Sequence, residues 1–273
     1  MSVEVESLWK YPVTGGPGIA IASTEVYPGG FLGDRAFIVA EQLADDSLQR
    51  LGSKQAPDLL GITYDTDGQT AYLDGNPLRL PSLDFDLGRP AQAHCNEFGD
   101  DTPVWFTSPD HDAAFSDYLG RPVHLLQKTT AWLLGEGIPP YQRANAALHI
   151  ISAESVAQIA EDSGAEAADV RKFKPDIVLS GMRAHEELDM IGKMARIGSI
   201  ASGATLQIDR GTRRCLVTAL DPTSGENKGD ISLRAMPKVD YPDGKPGRSA
   251  GVYAHTVDAH DRISVKDIFR LLE

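Results

Sequence analysis

Short apolar runs, broken by Gly, Pro and Asp, recur along almost the whole 273-residue chain. Phe37–Ala40 and Ile177–Leu179 have the length and composition of strands. Two further runs, 60–64 and 70–73, are joined by Asp65-Thr66-Asp67-Gly68, a hairpin signal in which glycine can adopt positive φ. The sequence therefore predicts a mainly β (α+β) fold whose N-terminal half is a twisted meander or barrel.

Two segments interrupt this pattern with helical signals. Asp112–Leu119 is predicted as a short helix that Gly120 ends. The clearest helix follows Ser152, a plausible N-cap, with Glu154 in the first turn and Ser163-Gly164 at the end. Residues 215–220 are predicted as a strand. Residues 128–145 are interpreted as a long loop, which suggests two domains, 1–127 and 128–273.

The charge balance limits the possible partners. The formal net charge is −13, which argues against nonspecific binding to nucleic acid or to an anionic membrane. No signal peptide and no apolar run of about 18 residues is recognisable, so no membrane partner is expected. Because the chain has only two cysteines, a reducing cytoplasm is the simplest location.

Cys215 is the strongest chemical candidate, because Arg213 and Arg214 precede it and an Asp221–Gly225 turn follows. Positive neighbours favour the thiolate, which is the nucleophilic and metal-binding form. A buried structural cysteine is the alternative, and a disulfide to Cys95 stays open. The histidines show no zinc-binding spacing, and no phosphate loop or nucleophile elbow is present.

Two cationic segments are candidates for anion binding. Gly33-Asp34-Arg35 places an arginine at the start of a strand, where its planar fork suits phosphate oxygens. Arg171-Lys172-Phe173-Lys174 is a basic cluster in an acidic protein. The alternatives are a surface Asp–Arg pair for the first and a solvated charged face for the second.

The order of several motifs is more specific than any one of them. It resembles the MOSC family (molybdenum cofactor sulfurase C-terminal domain) with its N-terminal β-barrel domain, and is similar to the amidoxime-reducing components. The resemblance covers nearly the whole chain and predicts a barrel-like domain packed on a MOSC β-barrel. The motifs are Tyr11-Pro12-Val13, Gly33-Asp34-Arg35, Ser152-Ala153-Glu154-Ser155, Phe173-Lys174-Pro175-Asp176, Arg214-Cys215 through Gly225, Gly251-Val252-Tyr253 and Ile263–Asp267.

The resemblance implies roles for individual residues. Cys215 would be the catalytic residue and the ligand of molybdenum held by a pterin cofactor, and thiolate is a suitably soft ligand. The implied cofactor-binding residues are Arg35 at the phosphate end, Lys174, Asn145, Arg214 and Thr14.

This chain departs from the family's pattern at three places. Thr14-Gly15 stands where relatives have Lys-Ser, and Lys174 and Asp176 replace an arginine and an asparagine. The predicted pocket is therefore less cationic than the family's.

The implied function is reduction of N-hydroxylated or related small substrates by a molybdenum-cofactor-dependent oxidoreductase. No iron–sulfur or flavin module is recognisable, so electrons would come from a separate partner protein. Two alternatives remain open: a non-catalytic carrier of molybdenum cofactor or sulfur that uses Cys215, and a cofactor-free β scaffold. At the level of the family, the resemblance also implies pyridoxal phosphate binding.

Overall fold

The computed structural model describes residues 2–83, 92–97, 100–129, 148–198, 203–241, 243–257 and 261–272. The strands of these ranges are β1 Val3–Lys10, β2 Ile19–Ile21, β3 Ser23–Tyr27, β4 Gly30–Phe31, β5 Phe37–Gln42, β6 Leu48–Arg50, β7 Thr63–Tyr64, β8 Thr70–Leu73, β9 Asn76–Arg79, β10 Gln92–Glu97, β11 Asp100–Phe106, β12 His124–Lys128, β13 Leu148–Ser152, β14 Ile177–Ser180, β15 Met194–Gly198, β16 Gly203–Arg213, β17 Lys238–Asp240, β18 Pro246–Thr256, β19 Asp261–Ser264 and β20 Ile268–Leu271. The α-helices are α1 Pro109–Leu119 and α2 Ala153–Ser163.

A large sheet formed mostly by the C-terminal half closes on itself. Its strand order is β13-β14-β1-β20-β15-β16-β18-β17, and additional pairing of β13 with β18 completes the circle. Inward-facing residues such as Val5, Ile150, Leu179, Leu206 and Phe269 form its core. Because each strand alternates its side chains, one face of every strand fills the interior and the other faces outward.

A second, smaller barrel lies in the N-terminal half, formed by β10, β11, β12, β5 and β6 in the described part of the chain. Strand β5 is buried on both faces, which explains its continuous apolar run. Ile38 faces the barrel interior with Cys95, while Val39 packs on the other side against α1 and the β7–β9 sheet. The prediction of a mainly β fold with barrels is therefore confirmed.

The first strands of the chain belong to the C-terminal barrel. Strand β1 pairs with β14 and β20, and β3 pairs with β19. The two halves also meet at the Asp221–Gly225 turn, where Gly225 adopts a φ of +73° with its Cα close to the Pro57 carbonyl. The division into 1–127 and 128–273 stays a prediction, and strand pairing crosses it.

The predicted helices are confirmed and one predicted strand, at 215–220, is wrong. A second predicted strand, at 60–64, is shorter than predicted: Pro57–Gly61 is a 3₁₀-helix and only Thr63–Tyr64 form β7. The Ser155 amide donates to the Ser152 side chain at 3.0 Å, so Ser152 caps α2 as its sequence context predicts. By contrast, the strand predicted at 215–220 is absent, and Leu216–Ala219 form a 3₁₀-helix instead. Strand β16 ends at Arg213, and the chain then turns because the Thr218 amide donates to the Cys215 carbonyl. Most of the predicted 128–145 loop lies outside the described residues.

Candidate functional site

Cys215 is exposed, whereas Cys95 is fully buried in the smaller barrel. Both are free thiols, so the disulfide left open by the sequence is absent. Cys215 sits just past the end of β16, and the Arg214 amide before it donates to the Arg248 carbonyl of β18. Leu216, directly after the thiol, is 69% exposed. The alternative of a buried structural cysteine therefore applies to Cys95 and not to Cys215.

Arg35 lies between two carboxylates. The Arg35 backbone has a φ of +47°, in the left-handed region. Its side-chain Nη1 donates to the Asp34 carboxylate and, at 2.7 Å, to the Asp176 carboxylate. Burial alone would lower the pKa of Arg35, but the charges of Asp176 and Asp34 raise it above its usual value. Arg35 thus joins the N-terminal Gly33–Arg35 turn to the loop before β14, and two acids neutralise its charge.

Asp176 is 1% exposed and is held on both carboxylate oxygens. One accepts from Arg35, and the other accepts the His149 amide at 2.7 Å. Burial, together with the charge of nearby Asp34, raises the pKa of Asp176 to about 7 against the opposing effect of Arg35. Near neutral pH the carboxyl group is therefore close to its midpoint of ionisation.

The Lys174 side chain links the C-terminal half of the chain to the N-terminal half. Its backbone has a φ of +48°, and its Nζ donates to the Gly15 and Gly16 carbonyls at 2.8 and 3.1 Å. Burial, together with the charges of Arg35 and Arg50, lowers the pKa of Lys174 to about 7. The nearby Cys215 opposes this shift. Lys174 is thus a cation near the thiol that no carboxylate bonds in the described ranges, and Arg214 is a second one.

The Arg214 side chain binds two backbone carbonyls and the ring of His149. Its Nη1 donates to the Phe173 carbonyl at 2.7 Å, its Nε donates to the Ala250 carbonyl at 3.2 Å, and its Nη2 donates to His149 Nε2 at 2.5 Å. All three guanidinium nitrogens therefore have partners inside the protein. The geometry favours a role in fixing the segment before Cys215.

His149 is the site residue that the sequence analysis missed. It is 2% exposed, and burial together with Arg214 lowers the pKa of its ring well below the usual value. A neutral ring can accept from Arg214 at Nε2 and donate from Nδ1 to the Lys174 carbonyl, 3.2 Å away. The only sequence signal is a histidine in an otherwise apolar strand.

Two buried hydroxyl groups near this junction have no hydrogen-bond partner among the described residues, Thr14 Oγ1 and Tyr11 OH. The Tyr11 ring lies under the Arg35 guanidinium, with 5.0 Å between the ring centroid and Cζ. Thr14 is followed directly by the Gly15 and Gly16 carbonyls that hold Lys174. Unpaired buried hydroxyl groups cost free energy, so a bound group that pairs with them would gain affinity.

The structure brings Thr14, Arg35, Lys174, Arg214 and Cys215 into one region where the two halves meet. Their assigned roles stay predictions. Asn145, the remaining predicted cofactor-binding residue, lies outside the described residues.

The donor set fits a metal that brings most of its own ligands. Among the described residues, no group of three or more His, Cys, Asp or Glu side chains is arranged to hold a metal ion, so these residues provide no site for a bare ion. A metal already bound by a pterin dithiolene needs a single soft protein ligand, and an exposed thiol is one. An exposed Cys215 therefore fits the molybdenum cofactor as a lone thiolate ligand, with Lys174 and Arg214 as charged neighbours.

The fold and this region define a class: a mainly β protein with two barrels and an exposed thiol beside the polar contact between its halves. The sequence model of the MOSC domain matches residues 94–270, well over half of the chain. The chain belongs to the MOSC domain family, as its motifs indicate.

Solved structures that resemble the chain include the following two. The crystal structure of the YuaD protein from Bacillus subtilis is 12% identical, with 99% of this chain and 96% of that chain covered and a TM-score of 0.45. The solution structure of a protein from Bordetella bronchiseptica is 14% identical, with 40% of this chain and 88% of that chain covered and a TM-score of 0.30. No curated protein matches the sequence.

Within the described ranges, none of the helices is both long enough and apolar enough to cross a membrane.

Proposed function

We propose that this protein binds a molybdenum cofactor through Cys215 and reduces N-hydroxylated or related small substrates. The observation that carries the proposal is the placement of one exposed thiol beside Lys174, at the contact between two barrels of a MOSC fold. When bound, the cofactor supplies the two-electron chemistry and most of the metal's ligands.

The residues of the chain have separate tasks in this proposal. Cys215 provides the protein's thiolate ligand, and Arg214 holds the preceding backbone through Phe173 and Ala250. Lys174 supplies positive charge for an anionic group, and Thr14 offers a hydroxyl group. Arg35, already paired with Asp34 and Asp176, holds the two halves in register and contributes little free charge to an anion.

The proposed reaction converts an N-hydroxylated amidine, two electrons and two protons into an amidine and water. The electrons come from a separate donor protein, since the sequence contains no recognisable flavin or iron–sulfur module. Pyridoxal phosphate binding and a cytoplasmic location stay predictions from the sequence.

The second candidate is a non-catalytic carrier of molybdenum cofactor or sulfur. The paired state of Arg35 and Arg214 favours it, because a site with little free positive charge would hold an anionic cofactor weakly. A carrier must release its cargo, so weak binding suits that role.

Metal analysis tests the molybdenum binding that the enzyme and a carrier of molybdenum cofactor share. The protein is expressed with molybdenum cofactor available, and molybdenum is measured in the wild type, Cys215→Ala and Cys95→Ala. We expect near-stoichiometric metal in the wild type and in Cys95→Ala, and its loss in Cys215→Ala. Wild-type protein without molybdenum under these conditions would exclude the enzyme and the carrier of molybdenum cofactor, and would leave only the sulfur carrier.

A reductase assay then separates the enzyme from the carrier. Loaded protein is supplied with a reduced viologen dye and benzamidoxime, and benzamidine formation is followed. Turnover that needs Cys215 supports the enzyme. Loaded protein that transfers its cofactor to an apoenzyme but forms no benzamidine supports the carrier.

A further inference from the structure

A cavity of about 270 Å³ lies apart from the candidate site, where β1, the turn before β5 and the β7–β9 sheet meet. Its buried floor is apolar and includes Pro12, Phe37 and Leu80. Its rim is polar and exposed, with Asp67, Gln69 and Arg79. An apolar floor with a few polar groups at the mouth is the usual composition of a small-molecule site.

The cavity is separate from the thiol site although the two share a wall. Lys10 and Pro12 line the cavity, whereas Tyr11 between them lies under Arg35. None of Thr14, Arg35, Lys174, Arg214 or Cys215 lines it. A ligand in this cavity would therefore contact the opposite side of the Tyr11 segment and not the thiol.

Two cationic side chains that line this cavity, Lys10 and Arg79, have N–H donors without partners among the described residues. Lys10 Nζ makes one hydrogen bond, to the Asp67 carbonyl at 3.3 Å, and an ammonium has three donors. Arg79 contacts His111 only through its backbone carbonyl, and its guanidinium has no partner among the described residues. The Asp67 carboxylate opposes them, but one of its oxygens already accepts the Gln69 amide at 2.9 Å. The residues that line the cavity thus carry two cations and one carboxylate, in a chain whose net charge is −13.

We infer that this cavity binds a small organic anion, with an apolar body on the floor and a carboxylate between Lys10 and Arg79. A phosphate or sulfate ion would leave the floor of Phe37 and Leu80 without contacts, whereas an aromatic or branched carboxylate would cover it. The volume lies just below the range of about 300–1,000 Å³ for drug-sized ligands, so the ligand is small. The inference does not depend on the molybdenum proposal.

Calorimetric titration with benzoate, and with benzyl alcohol as a neutral probe of similar shape, tests the inference on the full chain. We expect saturable benzoate binding at millimolar concentrations and much weaker binding of the alcohol. Arg79→Gln and Lys10→Gln should each weaken benzoate binding by about two- to fivefold, as expected for partly exposed ion pairs.

Arg183→Gln is the matched control, since Arg183 is exposed and does not line the cavity. It should bind benzoate like the wild type, and all variants should keep the wild-type unfolding temperature to within a few degrees. Three results would overturn the inference: no saturable benzoate binding, equal affinity for the alcohol, or the same loss in Arg183→Gln as in Arg79→Gln.

Discussion

Asp176 has a role in the structure, as the partner of Arg35, that the sequence does not predict. The sequence indicates only that an acid stands where relatives have an amide. The structure pairs this acid with Arg35, a residue 141 positions away, so the arginine predicted to meet a phosphate is already neutralised. Such a pairing could not be predicted, because the contact depends on the docking of two halves and not on local pattern.

The titration of Asp176 should make the free energy of unfolding depend on pH. Its pKa is about 7 in the folded state and about 3.8 for an aspartate in water, so the folded state binds more protons between these values. The free energy of unfolding contributed by Asp176 is therefore greatest below pH 4 and is lost as the pH rises to about 7, by at most about 1.4 kcal/mol per pH unit. Asp176→Asn should remove this loss.

The measurement is urea unfolding between pH 4.5 and 7.5 for the wild type and Asp176→Asn. Asp74→Asn, which removes an exposed carboxylate from a turn, is the control and should keep the wild-type slope. Equal slopes for the wild type and Asp176→Asn would show that the group is ionised throughout this range.

At the scale of elements, the sequence predicts correctly those helix ends and turns that neighbouring residues determine. The Ser152 cap predicts the start of α2, and Gly68 predicts the β7–β8 turn, since both depend on residues next to them in sequence. The strand predicted at 215–220 fails because its apolar run is short, and the Asp221 turn and the end of β16 decide its backbone. A run of this length fits a strand or a 3₁₀-helix equally well.

Gly251 shows how one element depends on another. It adopts a φ of +79° within β18, and a Cβ there would lie 2.4 Å from both His149 Nε2 and the Ile150 carbonyl oxygen. Gly251→Ala should therefore combine backbone strain with a clash against β13. We expect the free energy of unfolding to fall by about 2–4 kcal/mol, measured by urea unfolding.

Gly192→Ala is the matched control for Gly251→Ala. Gly192 has a φ of +85°, but a Cβ there would meet no atom within 4 Å, so its substitution adds strain alone. We expect a loss of about 1 kcal/mol. Equal losses at the two positions would mean that the contact between β13 and β18 relaxes at no cost.

At the scale of the whole molecule, the chain's first strand completes a barrel formed mainly by its last 126 residues, 148–273. Strand β1 lies between β14 and β20, with Val5 paired to Leu179 and Val3 paired to Phe269. Local sequence patterns predict that β1 is a strand but not its neighbours, because antiparallel pairing between such distant segments leaves no local trace. A domain boundary assigned from loop composition alone therefore separates strands that pair.

This topology predicts that residues 128–273 do not fold alone. Without β1, the edges of β14 and β20 lose their hydrogen-bond partner, and the core loses Val5 and Leu8, which are fully buried in the intact chain. We expect the fragment to lack a cooperative unfolding transition by circular dichroism.

Adding a peptide of residues 2–31, which carries β1 to β4, should restore the transition, because it supplies both the missing strand and the partner of β19. The same peptide with Val5→Asp and Leu8→Asp should not restore it, since charges would enter the barrel core. Cooperative unfolding of the fragment alone would show that the barrel closes without the N-terminal strand.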